Sequence, residues 1–159
     1  MASTITAATL TVTLTESISL NGSQQGATNT KTFADINEIS KRILTITTNE
    51  AVIATFSGAV GSAGHFNDGN VRYIRFTNLN STYFVTLTFR NQDNDEVAIK
   101  LDAGQTFIWN GDNSTGLEDT FNATQDADAA SDTAFGSLTN IQADAESSTV
   151  QIEMFVASV

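Results

Sequence analysis

His65 stands three residues before Asp68 in a glycine-rich stretch, and a histidine beside a carboxylate needs only a serine to form an acyl-transfer triad. Serines are plentiful, but the strained Gly-x-Ser-x-Gly turn that exposes such a nucleophile does not occur. His65 therefore reads as a solvated loop side chain, and no catalytic residue is expected. The carboxylates are the second candidate. Asp93, Asp95 and Glu96 share one turn, while Asp112, Glu118, Asp119, Asp126, Asp128 and Asp132 crowd residues 110–132. Calcium takes several hard oxygen ligands from such loops, yet the fixed ligand spacing of an EF-hand is met nowhere. A glycosidase needs two carboxylates facing each other across a cleft, and nothing in the spacing points to such a pair. Gly58, Gly61 and Gly64 lack the Gly-Lys-Ser/Thr of a phosphate loop. The acids read as solvated surface, with neither metal nor cofactor.

The aromatics offer a third possibility. Tyr73, Phe76, Tyr83, Phe84, Phe89, Phe107 and Trp109 could line a sugar platform, but their alternation along strands favours core packing. Composition narrows the remaining classes. Seven basic residues against 18 acidic ones leave a formal charge of -11, the wrong sign for binding nucleic acid or an anionic membrane. Cysteine is absent, so disulfides and thiolate chemistry are impossible. Proline is absent too, so turns fall to Gly, Asn, Asp and Ser. No segment approaches the ~20 apolar residues of a membrane-spanning helix. The first residues lack the basic and apolar regions of a secretory signal.

What positions these residues is a series of strands. In residues 9–20, Leu10, Val12, Leu14, Ile18 and Leu20 share one face and Thr or Ser fills most of the other, the period of a half-buried strand. Asn21-Gly22 is a turn signal. Residues 41–56 read as a hairpin around Asn49-Glu50, whereas 33–39 carries Phe33, Ile36 and Ile39 at mixed spacing and is compatible with a strand or a short helical turn. Residues 58–69 read as a glycine-rich loop. Further strands are expected over 71–77, 83–90, 96–101, 105–109 and 149–157. Residues 110–132 form a long acidic excursion, of a length usually tied to function. About eight strands with short polar turns and no helix-period segment predict an all-β, single-domain β-sandwich over residues 1–159, jelly-roll-like in type. Its expected core is Leu10, Val12, Leu14, Ile74, Phe76, Val85, Leu87, Phe89, Ile99, Phe107, Ile152 and Met154.

Several stretches resemble virion structural proteins of tailed bacteriophages, especially those of marine and cyanobacterial hosts. They are Asn70-Val-Arg-Tyr-Ile-Arg-Phe-Thr-Asn-Leu79, Tyr83-Phe-Val-Thr-Leu-Thr-Phe89, Lys100-Leu-Asp-Ala-Gly-Gln-Thr-Phe107, Glu16-Ser-Ile-Ser-Leu-Asn-Gly22 and Val150-Gln-Ile-Glu-Met-Phe-Val-Ala-Ser158. The resemblance covers most of the chain and is weakest in the acidic loop. It implies a non-enzymatic virion protein, foremost a capsid decoration or cement subunit, with a neck or tail subunit or a carbohydrate-binding sandwich at a fibre tip as alternatives. The implied partners are copies of itself or other virion proteins, in a homo-oligomer or on a lattice.

Edge strands point the same way. Residues 9–20 and 149–157 carry one glutamate each, Glu16 and Glu153, too little charge to blunt an exposed edge. They are expected to pair with each other or to be covered by a neighbour. Trp109, Leu117 and Phe121, in or beside the acidic loop, are the expected interface residues. A protein without a structural metal should keep its melting temperature in chelator at low ionic strength. A large chelator-induced drop, read by circular dichroism, would overturn the reading of the acidic loop as solvated.

Overall fold

Strands built from alternating apolar and hydroxyl residues need a partner layer on the apolar side only, and the computed structural model shows how three layers meet that need. It describes residues 5–56, 63–111, 116–117 and 137–159. The elements are β1 (Ala8–Thr15), β2 (Ser19–Leu20), β3 (Ser23–Gln24), β4 (Thr28–Ile36), β5 (Glu38–Ile46), β6 (Ala51–Phe56) and β7 (His65–Phe66). After a 3-10 turn at Asp68–Asn70 come β8 (Val71–Asn78), β9 (Val85–Asn91), β10 (Glu96–Leu101), β11 (Thr106–Asn110), β12 (Leu138–Ala145) and β13 (Val150–Ser158).

Two sheets make an all-β sandwich. One runs β11-β8-β13-β5 and the other β10-β9-β12-β6-β7. The pairing is nested and antiparallel: β5 with β13, β6 with β12, β8 with β11, and β9 with β10. The β8–β13 and β9–β12 ladders complete the sheets. Between β8 and β13 the chain stays in one sheet only at the β9–β10 turn. That wrapping is the jelly-roll order.

Residues 41–56 are thus not a hairpin. β5 and β6 lie in different sheets, and residues 47–50 form a corner between them. A short polar turn serves either arrangement. The alternation of both strands is satisfied by one core reached from opposite sides, so local pattern could not separate the two cases. Nor do the low-charge segments 9–20 and 149–157 pair with each other. β13 is flanked by β5 and β8, and β1 pairs with β4. An interior strand has no edge to protect.

Phe89 sits at the centre of the sandwich. Its ring meets Trp109 edge-on at 5.3 Å, Phe76 at 6.5 Å and Phe107 at 5.7 Å. Ile74, Phe76, Val85, Leu87, Phe89, Ile152 and Met154 are buried, as expected, and Ile99 and Phe107 pack against them half-buried. Asn78 is the buried polar node. Its Nδ2 donates to the carbonyls of Tyr83 and Leu101, both at 3.0 Å, and its Oδ1 accepts from the Asn80 amide at 2.9 Å. One side chain thereby fixes the β8–β9 corner to β10 across the sandwich.

The third layer is a hairpin formed by β1 and β4. One register runs from Leu10↔Phe33 through Thr15↔Thr28 to Leu20↔Ser23, continued between them by the bond from the Glu16 amide to the Ala27 carbonyl. Asn21 and Gly22, with φ of 51° and 79°, make the two-residue turn that suits the right-handed twist of paired strands. At the other end a bulge adds a residue to β4 between Phe33 and Ile36, where Asp35 has φ 59°. The extra residue explains the mixed spacing of 33–39. It sets Phe33 and Ile36 on one face despite their separation of three.

That face covers Tyr73 and Ala157 on the outside of the β11-β8-β13-β5 sheet, with Leu10, Val12 and Phe155 packed around them. Leu10 and Val12 therefore join a second cluster rather than the central core. Leu14 is 52% exposed, against expectation. Alternation marks a face, but it does not say how far the layer beneath extends. Phe33→Ala should cost about 3 kcal/mol, the low end for a buried phenylalanine, measured by urea unfolding. A loss below about 1 kcal/mol would mean the hairpin does not depend on this anchor.

Candidate functional site

Among the described residues, His65 and the acids singled out for chemistry do not converge on one site. His65 is half-buried in β7, which pairs parallel with β6. Asp68 holds its own turn, its Oδ1 accepting from the Gly69 amide and its carbonyl from the Leu117 amide. No bond joins His65 to Asp68 among the described residues. In the β9–β10 turn, Asn91 gathers the acids. Its Oδ1 accepts from the amides of Asp93 and Asp95, and its Nδ2 donates to the Asp95 carboxylate at 3.1 Å. Glu96 is ion-paired with Arg90 across the ladder. Among the described residues no group of three or more His, Asp or Glu side chains could hold a metal ion. Asp112, Glu118, Asp119, Asp126, Asp128 and Asp132 lie outside the described residues.

The expected interface residues are placed as follows. Trp109 is buried on Phe89, and Leu117 is buried in the same core. Phe121 lies outside the described residues. Most of the aromatics face the central core: Phe76 and Phe89 are buried in it and Tyr83 and Phe107 pack against it, while Tyr73 is buried on the outer face of its sheet under the hairpin. Phe84 is half-buried under the Lys100 ammonium, 4.3 Å from its ring centre. Among the described residues the aromatic cluster outside the central core, Phe33, Tyr73 and Phe155, is closed by the hairpin itself.

The candidate site is the surface this hairpin leaves bare. Its register places Leu10, Val12, Leu14, Glu16, Ile18 and Leu20 along one face. Among the described residues, only the first part of the stripe packs on the sheet beneath it. Leu14 looks across an open cleft of about 360 Å³, walled by Tyr73, Arg75, Ile108 and Phe155. A second cleft of about 340 Å³ continues it past Asn29, Lys31 and Asn110. Beyond, Ile18 and Leu20 are 56% and 61% exposed. The opposite face is a hydroxyl ladder, with Thr13 and Thr30 Oγ1 atoms 3.3 Å apart and Thr28 donating to Thr15 at 3.4 Å. The apolar stripe runs along the first strand of the arm, about 33 Å from Leu10 to Leu20 at the usual rise per strand residue, with Lys31, Asn29 and Ser23 paired beside it on the returning strand. Gly26 lets its two strands close at mid-length, since a Cβ there would collide with the Glu16 carbonyl.

The sheet face around the clefts carries the notable electrostatics. The Glu153 carboxylate is ion-paired with Arg75 and, at 3.1 Å, with Lys41, while Arg75 also donates to Thr77 Oγ1 at 2.6 Å. The Arg75 hydrogen bond, seconded by Lys41, holds the Glu153 carboxyl below the usual carboxylate range. Burial under the hairpin pushes the Tyr73 hydroxyl up, with Arg75 pulling the other way. The residues 9–20 stripe was legible in the sequence. Its bare distal half was not, although mirrored threonines about Asn21-Gly22 signalled a long hairpin.

No protein-family model, no curated protein and no solved structure matches this chain.

Because Glu153 is more acidic folded than unfolded, its contribution to stability is present above the unfolded carboxylate pKa. It is lost as pH falls through the lower, folded value. Glu153→Gln should therefore melt lower than the parent at pH 7, and the two curves should converge at pH below the ordinary carboxylate range. A gap that persists unchanged into strong acid would show that the substitution acts through packing instead.

Proposed function

We propose that this chain is a non-enzymatic structural subunit of a virus particle, a capsid decoration or cement protein that packs on neighbouring subunits. The observation that carries the assembly reading is the arm: an ordered apolar stripe that outruns the sheet covering its base. Exposed apolar area of this kind is tolerated where a partner covers it. Covering the exposed parts of Leu14, Ile18 and Leu20 would contribute on the order of 3 kcal/mol. The resemblance to tailed-phage virion proteins supplies the particle. The jelly roll is a fold used by viral coats, though also by lectins and cupins, so its support is by analogy. A charge of -11 suits a position away from packaged DNA, because like charges repel.

Electron cryo-microscopy of particles carrying this chain is the test. The sandwich should sit on the particle surface with its hairpin arm covered by neighbouring density. The triple variant Leu14→Ser, Ile18→Ser, Leu20→Ser should fold, each change costing at most about 0.5 kcal/mol at exposed sites, and should fail to load. A chain docked with its arm bare to solvent, or a triple variant that loads normally, overturns the proposal.

A further inference from the structure

The bare half of the arm reads Leu14, Glu16, Ile18 at strand spacing, an acid between two apolar side chains on one face. The same molecule carries the converse pattern elsewhere. β5 is an edge strand, and its register with β13 puts Ile39, Lys41 and Ile43 on the outer face of the sheet, beside Ala157, Phe155 and Glu153. Ile39 and Ile43 are 58% and 62% exposed, with the Lys41 ammonium between them. Lys41 and Arg75 share the single carboxylate of Glu153, so the patch keeps one positive charge within a strongly acidic protein. Apolar–acid–apolar thus has apolar–base–apolar as its complement, at the same two-residue interval.

The arm cannot reach this strip in its own molecule. At Leu14 it faces Ile108 of β11, and β11 and β5 are opposite edges of the sheet. We infer that the distal arm of one copy lies on the outer face of β5 in a second copy, Glu16 against Lys41 and Leu14 and Ile18 against Ile39 and Ile43. This rests on the assembly reading above and adds that the partner is the same chain. Arm and strip are different surfaces, so the contact is head-to-tail. It closes into a ring if the rotation allows and otherwise extends as a filament. The other charges of the hairpin are Asp35, at the bulge, and Lys31, which lies over the Phe33 ring at 5.7 Å and lines the second cleft on the sheet side of Leu14, away from Ile18.

Sedimentation velocity on the full chain, with charge-swap variants, tests the inference. Glu16→Lys and Lys41→Glu should each weaken self-association at least about tenfold, the loss expected when one partner of a covered ion pair is reversed. The double variant should restore it, and all should keep the parental circular dichroism. Because Lys41→Glu also disturbs Glu153, a second measurement stands beside it. The chain lacks cysteine, so Ile18→Cys mixed with Ile39→Cys or Ile43→Cys should give a bis-maleimide cross-link between copies, to one or the other according to the arm's direction. A parent that associates while the swaps change nothing and no cross-link forms overturns the strip, leaving the virion reading to particle density. A parent that stays monomeric at every concentration overturns self-docking. Particle density showing an unlike protein on the arm overturns it too, while the virion reading then stands.

Discussion

Tyr73 and Phe155 stand on the far side of a sheet whose near side is already the central core. Alternation along β8 and β13 makes this unavoidable. If Ile74, Phe76, Met154 and Val156 face inward, their neighbours must face out. Two aromatic rings on an outer sheet face need cover, and the β1–β4 hairpin supplies it through Phe33 and Ile36. The bulge at Asp35, the entry of the chain into β5 at Asn37, and the arm's course toward β11 all follow from that seating. The arm's bare tip is a consequence as well. A ribbon long enough to cross the sheet and continue carries its remaining stripe beyond the sheet.

The sandwich beneath is held by contacts distant in sequence. β5 meets β13 and β6 meets β12, so the first strands must wait for the last ones. Such topologies close large loops before contacts reward them and fold slowly. Two features make the wrapped state unique. Phe89 packs edge-on against rings from the facing sheet, a geometry that aromatic pairs favour beyond simple burial. Asn78 meets its hydrogen-bonding needs only when β8, β9 and β10 are in place, and an unpartnered buried amide is costly.

Charge is arranged economically. Among the described residues Lys41, Arg75, Arg90 and Lys100 are each in an ion pair. The pairs at Arg90 and Lys100 are largely exposed and contribute little to stability. The Arg75–Glu153–Lys41 group differs because it is half-sheltered and has two cations for one carboxylate. It leaves a local positive charge where the protein as a whole is strongly negative. Electrostatic complementarity of this sort acts mainly on register and partner choice, which is the role the proposed docking of the arm on β5 gives it.

Composition and period were enough to determine the all-β sandwich class and which residues of β8, β9 and β13 fill the core. Those properties are local: side chains alternate across a strand whatever the strand pairs with. The place of residues 41–56, split between two sheets, was decided by tertiary structure, because a turn of four polar residues serves a hairpin and a corner equally. Phe33 and Ile36 could share a face only through a bulge, and in the sequence a bulge shows only as a break in period that a short helical turn would give as well. Trp109 and Leu117 looked available for contact because they border an acidic loop, yet burial depends on what crosses above a residue. Leu14 shows the same limit from the other side. Its alternation is identical to that of Leu10 and Val12, but an open cleft separates it from the sheet on which they pack. Whether an apolar face becomes core or contact surface is set by the extent of the opposing layer, and that is a property of the folded whole.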